Sequence, residues 1–244
     1  MLKYVGLALL AALGVILAYV AVLIVSALFV DKNREYGTNS RYYRALLESA
    51  TAIGFFLLRV KIHAAGLEKL PEGTRFVLAS NHRSNYDPLV EWHVLRGRQI
   101  AFLSKADNFK VPVFGRLIRR CGFLAIDRSS PRSSMETVCK AAQMIKEDIV
   151  SFGLYPEGTR SKECVLLPFH NGIFTLAHKA EVPIVVVALR GTEEIHKRFI
   201  RHRTDVYFDL VDVIPAEEHK NMRTNEIGDR VRRGLENILG DGKQ

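Results

Sequence analysis

Three short polar clusters in this chain combine residue types that carry acid–base and phosphate chemistry. The first is Asn81-His82-Arg83-Ser84-Asn85-Tyr86-Asp87-Pro88. Histidine suits proton transfer because its unperturbed pKa, about 6.5, lies near neutral pH. An aspartate across a turn can accept a hydrogen bond from one imidazole nitrogen and leave the other free as a base. Asp87-Pro88 also reads as a plain helix start, with Asp as N-cap and Pro in the first helical position. A lone His-x4-Asp spacing is a weak signal. The second cluster is Gly122-Phe123-Leu124-Ala125-Ile126-Asp127-Arg128, with Arg116, Arg119 and Arg120 just upstream. An arginine at a strand's carboxyl end can fork onto a phosphate, although a solvated basic helix accounts equally well for Arg119 and Arg120. In the third, Tyr155-Pro156-Glu157-Gly158-Thr159-Arg160-Ser161, Pro and Gly force a sharp turn. That turn is expected to expose Glu157, Thr159, Arg160 and backbone N–H groups at a rim.

The elements that must position these clusters alternate. Strands are expected at 60–65, 75–80, 99–104, 122–127, 149–155, 184–189 and 206–213. Helices are expected at 88–95, 113–120, 133–148, 173–181 and 226–239. Alternation of this kind implies a three-layer α/β domain around a mainly parallel sheet, whose sites collect at the carboxyl ends of strands. The first and third clusters stand at the end of an expected strand, and the second is an expected strand with Arg128 directly after it.

The N-terminus obeys different rules. From Tyr4 to Val30 there is no charge and no proline. As a helix this run is about 40 Å long, enough to cross a hydrocarbon core of roughly 30 Å when tilted. A cleaved signal peptide would carry a shorter apolar region and a small-residue cleavage site. The basic residues Lys32, Arg34, Arg41 and Arg44 follow the run, against Lys3 before it. The heavier flank places the remainder on the cytoplasmic side. The stretch 41–62, basic at its ends and apolar in the middle, reads either as a second helix at the membrane interface or as one packed on the soluble domain. Residues 1–60 are thus expected to form the membrane segment and 61–244 the catalytic domain.

The 244 residues carry a formal net charge of +9, which favours anionic partners: phosphate esters, nucleic acid or an acidic lipid surface. Cys121, Cys139 and Cys164 are isolated, so neither a disulfide framework nor a zinc site is expected, and a reducing compartment is.

Taken together and in order, the clusters resemble the conserved blocks of the 1-acylglycerol-3-phosphate acyltransferases, within the wider glycerolipid acyltransferases. The blocks are Asn81–Asp87, Gly122–Arg128, Tyr155–Ser161 and the strand Val182-Pro183-Ile184-Val185-Val186-Val187. The resemblance covers roughly residues 60–190. It implies an acyl-CoA or acyl carrier protein donor and a lysophosphatidate-like acceptor. It also implies no metal or cofactor, a membrane bilayer as partner and no nucleic acid. His82, oriented by Asp87, would be the general base; Arg128, Arg160 and Lys105 would hold the acceptor phosphate; Glu157, Gly158 and Thr159 would shape the acceptor side. Tyr155 stands where the family usually has Phe, the fourth block lacks its second proline, Lys105-Ala106-Asp107-Asn108 replaces a Lys-x-Glu-Leu stretch, and His170 stands where relatives often carry lysine.

Two other readings fit part of the pattern. A related acyltransferase could use glycerol-3-phosphate or another lysolipid. A non-catalytic adaptor binding anionic lipid would explain the anchor and the charge, but not the Asn-His-x4-Asp and Pro-Glu-Gly-Thr-Arg blocks.

Overall fold

The computed structural model describes residues 2–127, 129–198 and 202–240. Helix α1 (Leu2–Leu28) carries the N-terminal apolar run, and its Leu, Val and Ile side chains face outward along most of its length. It is one helix long and apolar enough to cross a membrane. Its carboxyl end is tied to the rest of the protein. Arg116 Nη1 donates to the Ala27 carbonyl at 3.1 Å, the Ser26 and Tyr42 hydroxyls meet at 2.7 Å, and those of Tyr19 and Ser49 at 2.8 Å.

Helix α2 (Arg41–Leu57) is amphipathic: Arg44, Leu47, Thr51 and Phe55, spaced three and four apart, form its buried face. Arg44 anchors it. The guanidinium donates to the carbonyls of Ile100 (3.1 Å) and Cys121 (3.3 Å) and lies 4.3 Å over the Trp92 ring. Ile53, Phe56 and Leu57 point outward, Phe56 being 81% exposed. Of the two sequence readings of this stretch, packing on the domain describes one face; the other face is apolar and uncovered.

Among the described residues seven strands form one sheet: β1 (Val60–Ala65), β2 (Val77–Ser80), β3 (Ile100–Lys105), β4 (Leu124–Ile126), β5 (Ser151–Leu154), β6 (Ile184–Arg190) and β7 (Thr204–Ile214). Their order is β1-β7-β6-β2-β5-β3-β4. Every pairing is parallel except β6 with β7, which is antiparallel with an irregularity between Val186 and Val187. The protein is therefore an α/β fold on a mostly parallel sheet. At its centre Leu78 of β2 sits opposite Gly153 on one side and Val185 on the other. These central strands are buried along their whole length, as parallel strands covered on both faces must be. Gly153 is required there, since a Cβ would lie 2.3 Å from the Phe102 ring.

The connecting helices are α3 (Asp87–Val94), α4 (Phe114–Arg119), α5 (Pro131–Lys146), α6 (Thr175–Ala180), α7 (Ile195–Arg198), α8 (Ala216–His219) and α9 (Thr224–Leu239). Helix α5 packs on β4 and β5, and α9 on β6 and β7. Several boundaries shift by a residue or two from expectation, and two of these shifts have a local cause. Strand β2 begins at Val77 because the Phe76 N–H donates to the Ser151 hydroxyl at 3.2 Å and not to a neighbouring strand's carbonyl. Helix α5 begins at Pro131, two residues early, because the Ser130 hydroxyl accepts the Ser133 N–H as an N-cap.

Candidate active site

Strands β6, β2 and β5 are neighbours and run parallel, so their carboxyl ends meet at one edge of the sheet. His82 and Asp87 follow β2, the turn from Tyr155 to Ser161 follows β5, and Thr192 follows β6. Chain segments far apart in sequence thereby converge on one imidazole.

His82 Nδ1 and Asp87 Oδ2 are 2.8 Å apart, with Asp87 fully buried and the His82 side chain 14% exposed. Asp87 opens α3, yet its carboxylate does not cap the helix. It turns back onto the loop and accepts the N–H groups of Arg83 (2.6 Å) and Ser84 (2.7 Å), while its other oxygen accepts the Thr192 hydroxyl. A buried carboxylate is tolerated only when its lone pairs are filled, and four donors fill these. With both neighbouring amides donating to Oδ2, the carboxylate is an acceptor toward His82 as well. In the neutral imidazole the proton therefore sits on Nδ1, and Nε2 keeps its lone pair.

The loop bearing His82 is held from several sides. Glu157, only 2% exposed, accepts the His82 N–H at 2.6 Å through Oε1 and the Leu167 N–H at 2.9 Å through Oε2. This corrects the expectation of an exposed Glu157: its carboxylate faces inward and binds backbone. Burial raises its pKa, opposed by the hydrogen bonds from Leu167 and His82. The Ser161 N–H donates to the His82 carbonyl at 2.8 Å, closing the same junction. Asn81, also buried, exchanges two hydrogen bonds with the Leu189 backbone (3.0 and 2.7 Å), clamping the end of β2 to β6.

The Tyr155 ring stacks on the His82 imidazole, with centroids 4.0 Å apart and planes 13° from parallel. The phenol hydroxyl reaches Glu91 Oε2 at 2.6 Å, and the Ser80 hydroxyl donates to Glu91 Oε1. Burial pushes the Glu91 carboxyl up to about 8, with the hydrogen bonds from Ser80 and Tyr155 lowering it and the nearby Asp87 charge raising it.

The remaining expected residues lie farther out. Gly158 has φ 66°, and a Cβ there would meet the His170 ring at 2.8 Å, so glycine is needed for the turn and for this approach. Thr159 and Arg160 are exposed at the rim. Lys105 ends β3, two strand positions from β2 and thus about 10 Å across the sheet. It is exposed and paired with Asp107 at 2.6 Å. Arg128 lies outside the described residues. A cavity of about 510 Å³ opens beside the site, lined mainly by Leu103, Ile126, Met135, Val138, Ile173, Tyr155, Pro156 and Gly158, with Ser134, His170 and Asn171 also on its wall. Among the described residues no group of His, Cys, Asp and Glu side chains converges as a metal site would.

Sequence reasoning missed Glu91, Thr192 and the structural part of Asn81. Thr192 is 105 positions from Asp87 and carries no local signal. Glu91 had one, being four residues after Asp87 and so on the same helical face.

The acyltransferase family profile matches residues 61–190, more than half of the chain. The chain is 37% identical over 136 residues to the chloroplastic 1-acyl-sn-glycerol-3-phosphate acyltransferase BAT2 of Brassica napus, covering 55% of this chain and 39% of that protein. It is 32% identical over 144 residues to the 1-acyl-sn-glycerol-3-phosphate acyltransferase of Haemophilus influenzae, covering 58% of each. The chain thus spans less than two thirds of either relative. The crystal structure of the 1-acyl-sn-glycerophosphate (LPA) acyltransferase PlsC from Thermotoga maritima superposes with a TM-score of 0.67 at 20% identity, over 91% of this chain and 89% of that one, so the two share a fold. With its matched region running from the first strand through the end of β6, and the His-x4-Asp pair inside it, the chain belongs to the acyltransferase family, in the glycerolipid acyltransferase superfamily.

Proposed function

We propose that this protein transfers a fatty acyl group from acyl-CoA or acyl carrier protein to the free sn-2 hydroxyl of 1-acylglycerol-3-phosphate, giving phosphatidic acid. The observation that carries the reading is the His82–Asp87 pair, with Nδ1 committed to a buried carboxylate and Nε2 free. The acceptor hydroxyl gives its proton to Nε2 as its oxygen attacks the thioester carbonyl. The tetrahedral intermediate then expels the thiolate, which takes that proton back from the imidazolium. Asp87 stabilises the imidazolium between the two steps, and general-base assistance of this kind contributes about 10²–10⁴ in rate. The thioester is already activated, so no covalent enzyme intermediate is required.

Several features support the substrate class. The apolar cavity beside Tyr155 suits an acyl chain. Arg160 and Lys105 are cations at the same sheet edge, and Arg128 completes the set that would bind the acceptor phosphate. Lys105 must exchange Asp107 for that phosphate, since the two are paired here. Glu157 shapes the acceptor side indirectly, by holding the His82 backbone, while Gly158 and Thr159 form the turn itself. Residues 1–60 act as the membrane segment, with α1 crossing the bilayer and the domain of residues 61–244 on the cytoplasmic face, where a bilayer-borne lysolipid meets the site.

A panel assay tests the acceptor. Thiol release from palmitoyl-CoA and palmitoyl carrier protein is measured with 1-acylglycerol-3-phosphate, glycerol-3-phosphate and lysophosphatidylcholine. The proposal expects kcat/KM to be highest with 1-acylglycerol-3-phosphate. A preference for glycerol-3-phosphate or for the choline lysolipid would replace that acceptor while leaving acyl transfer intact.

A further inference from the structure

Glu91 has no part in the chemistry of His82 and Asp87, yet it is fully buried directly behind them. It bridges three elements: it stands on α3, receives the Ser80 hydroxyl from the end of β2, and receives the Tyr155 hydroxyl from the turn after β5. The titratable groups facing it are Asp87 on its own helix and the Tyr155 phenol; from β2 it meets only the Ser80 hydroxyl. The Asp87 bond fixes one point on the His82 ring but leaves the imidazole free to rock about that point. A flat ring 4.0 Å away and nearly parallel removes this freedom. Stacking by itself does not fix a ring within its own plane, so Tyr155 must be held at its far end, and its hydroxyl is held by Glu91.

We propose that Glu91, acting through the Tyr155 hydroxyl, is a positioning residue that fixes the plane of His82 and so aims Nε2 at the acceptor. The role rests on the reading of His82 as the general base. Burial pushes the acid's pKa up to about 8, so near neutral pH it holds a proton that one of the two hydroxyl oxygens accepts while the other hydroxyl donates; ionisation places a second buried negative charge beside Asp87 and perturbs the ring it holds.

The test compares Y155F, E91A and E91Q with the native protein by steady-state thiol release from pH 6 to 9.5, with thermal melts to exclude misfolding. Y155F and E91A are expected to lose about tenfold in kcat, the size of one hydrogen bond, with KM for both substrates within twofold. E91Q keeps partners for Ser80 and Tyr155, recovers most of the E91A loss, and lacks the inflection near pH 8 of the native profile. Y155F retains the ring and so remains informative if E91A does not fold. A kcat unchanged from native in both Y155F and E91A overturns the positioning role alone. A native protein that releases no thiol at all overturns the acyl-transfer reading instead.

Discussion

Replacing Asp87 with Asn separates the charge of the pair from its geometry. The carboxylate accepts from His82 Nδ1 and the Arg83 and Ser84 amides on Oδ2, and from the Thr192 hydroxyl on Oδ1. An asparagine can place its carbonyl oxygen in the three-donor seat and turn its NH₂ toward Thr192, whose hydroxyl can rotate to accept. The fold is preserved and the negative charge is lost. A hydrogen bond to a charged group contributes about 1.5–3 kcal/mol, and the proposed mechanism needs that term when His82 becomes an imidazolium. The expected loss in kcat is therefore about 10- to 150-fold. D87A would be a poorer test, because it orphans two backbone amides and a buried hydroxyl and so mixes unfolding with catalysis. The assay is continuous thiol release in detergent micelles with both substrates saturating. A D87N enzyme with kcat within twofold of native, and an unchanged melting temperature, would refute the role assigned to Asp87.

Asn81→Ala removes both hydrogen bonds to Leu189 and leaves a buried amide and carbonyl unpaired, a cost of about 2–5 kcal/mol. A melting temperature lowered by about 5–15 °C is expected, and one within 2 °C of native would show that the clamp contributes little. Glu91 gives stability its own pH dependence. Its folded pKa, about 8, lies above its ordinary 4.5, so between these values the native state holds a proton that the unfolded chain releases. Its contribution is complete below about pH 4.5 and is lost as pH rises through 8. Denaturant midpoints at pH 5, 7 and 9 should therefore show E91Q gaining on the native protein with pH, by a few kcal/mol in all; parallel curves for the two proteins would contradict a buried, protonated Glu91.

Much of the scaffold was legible because strand and helix periods differ and because each polar cluster interrupts an apolar run. Strands β1, β3, β5 and β6 lie within a residue or two of their sequence-based limits. What escaped depends on contacts between distant segments. The reversal of β7 against β6 is a pairing choice that no local pattern records. Arg44 was read only as part of a basic flank, yet it is the buried anchor of α2 on Trp92. Glu157 belonged to a turn motif that local chemistry places at a rim; its burial follows from the orphan amides of His82 and Leu167, which lie 75 and 10 residues away. Asp87 reads as an N-cap from Asp-Pro alone, and only the return of the loop toward it redirects the carboxylate.

The central claim is that His82 Nε2 removes the acceptor's proton. Replacing His82 with Ala in the purified, membrane-reconstituted protein and measuring thiol release from acyl-CoA in the presence of 1-acylglycerol-3-phosphate addresses it directly. The account predicts a fall in kcat of at least about 10²-fold, with the fold intact by circular dichroism. Transfer at the native rate by H82A would contradict it.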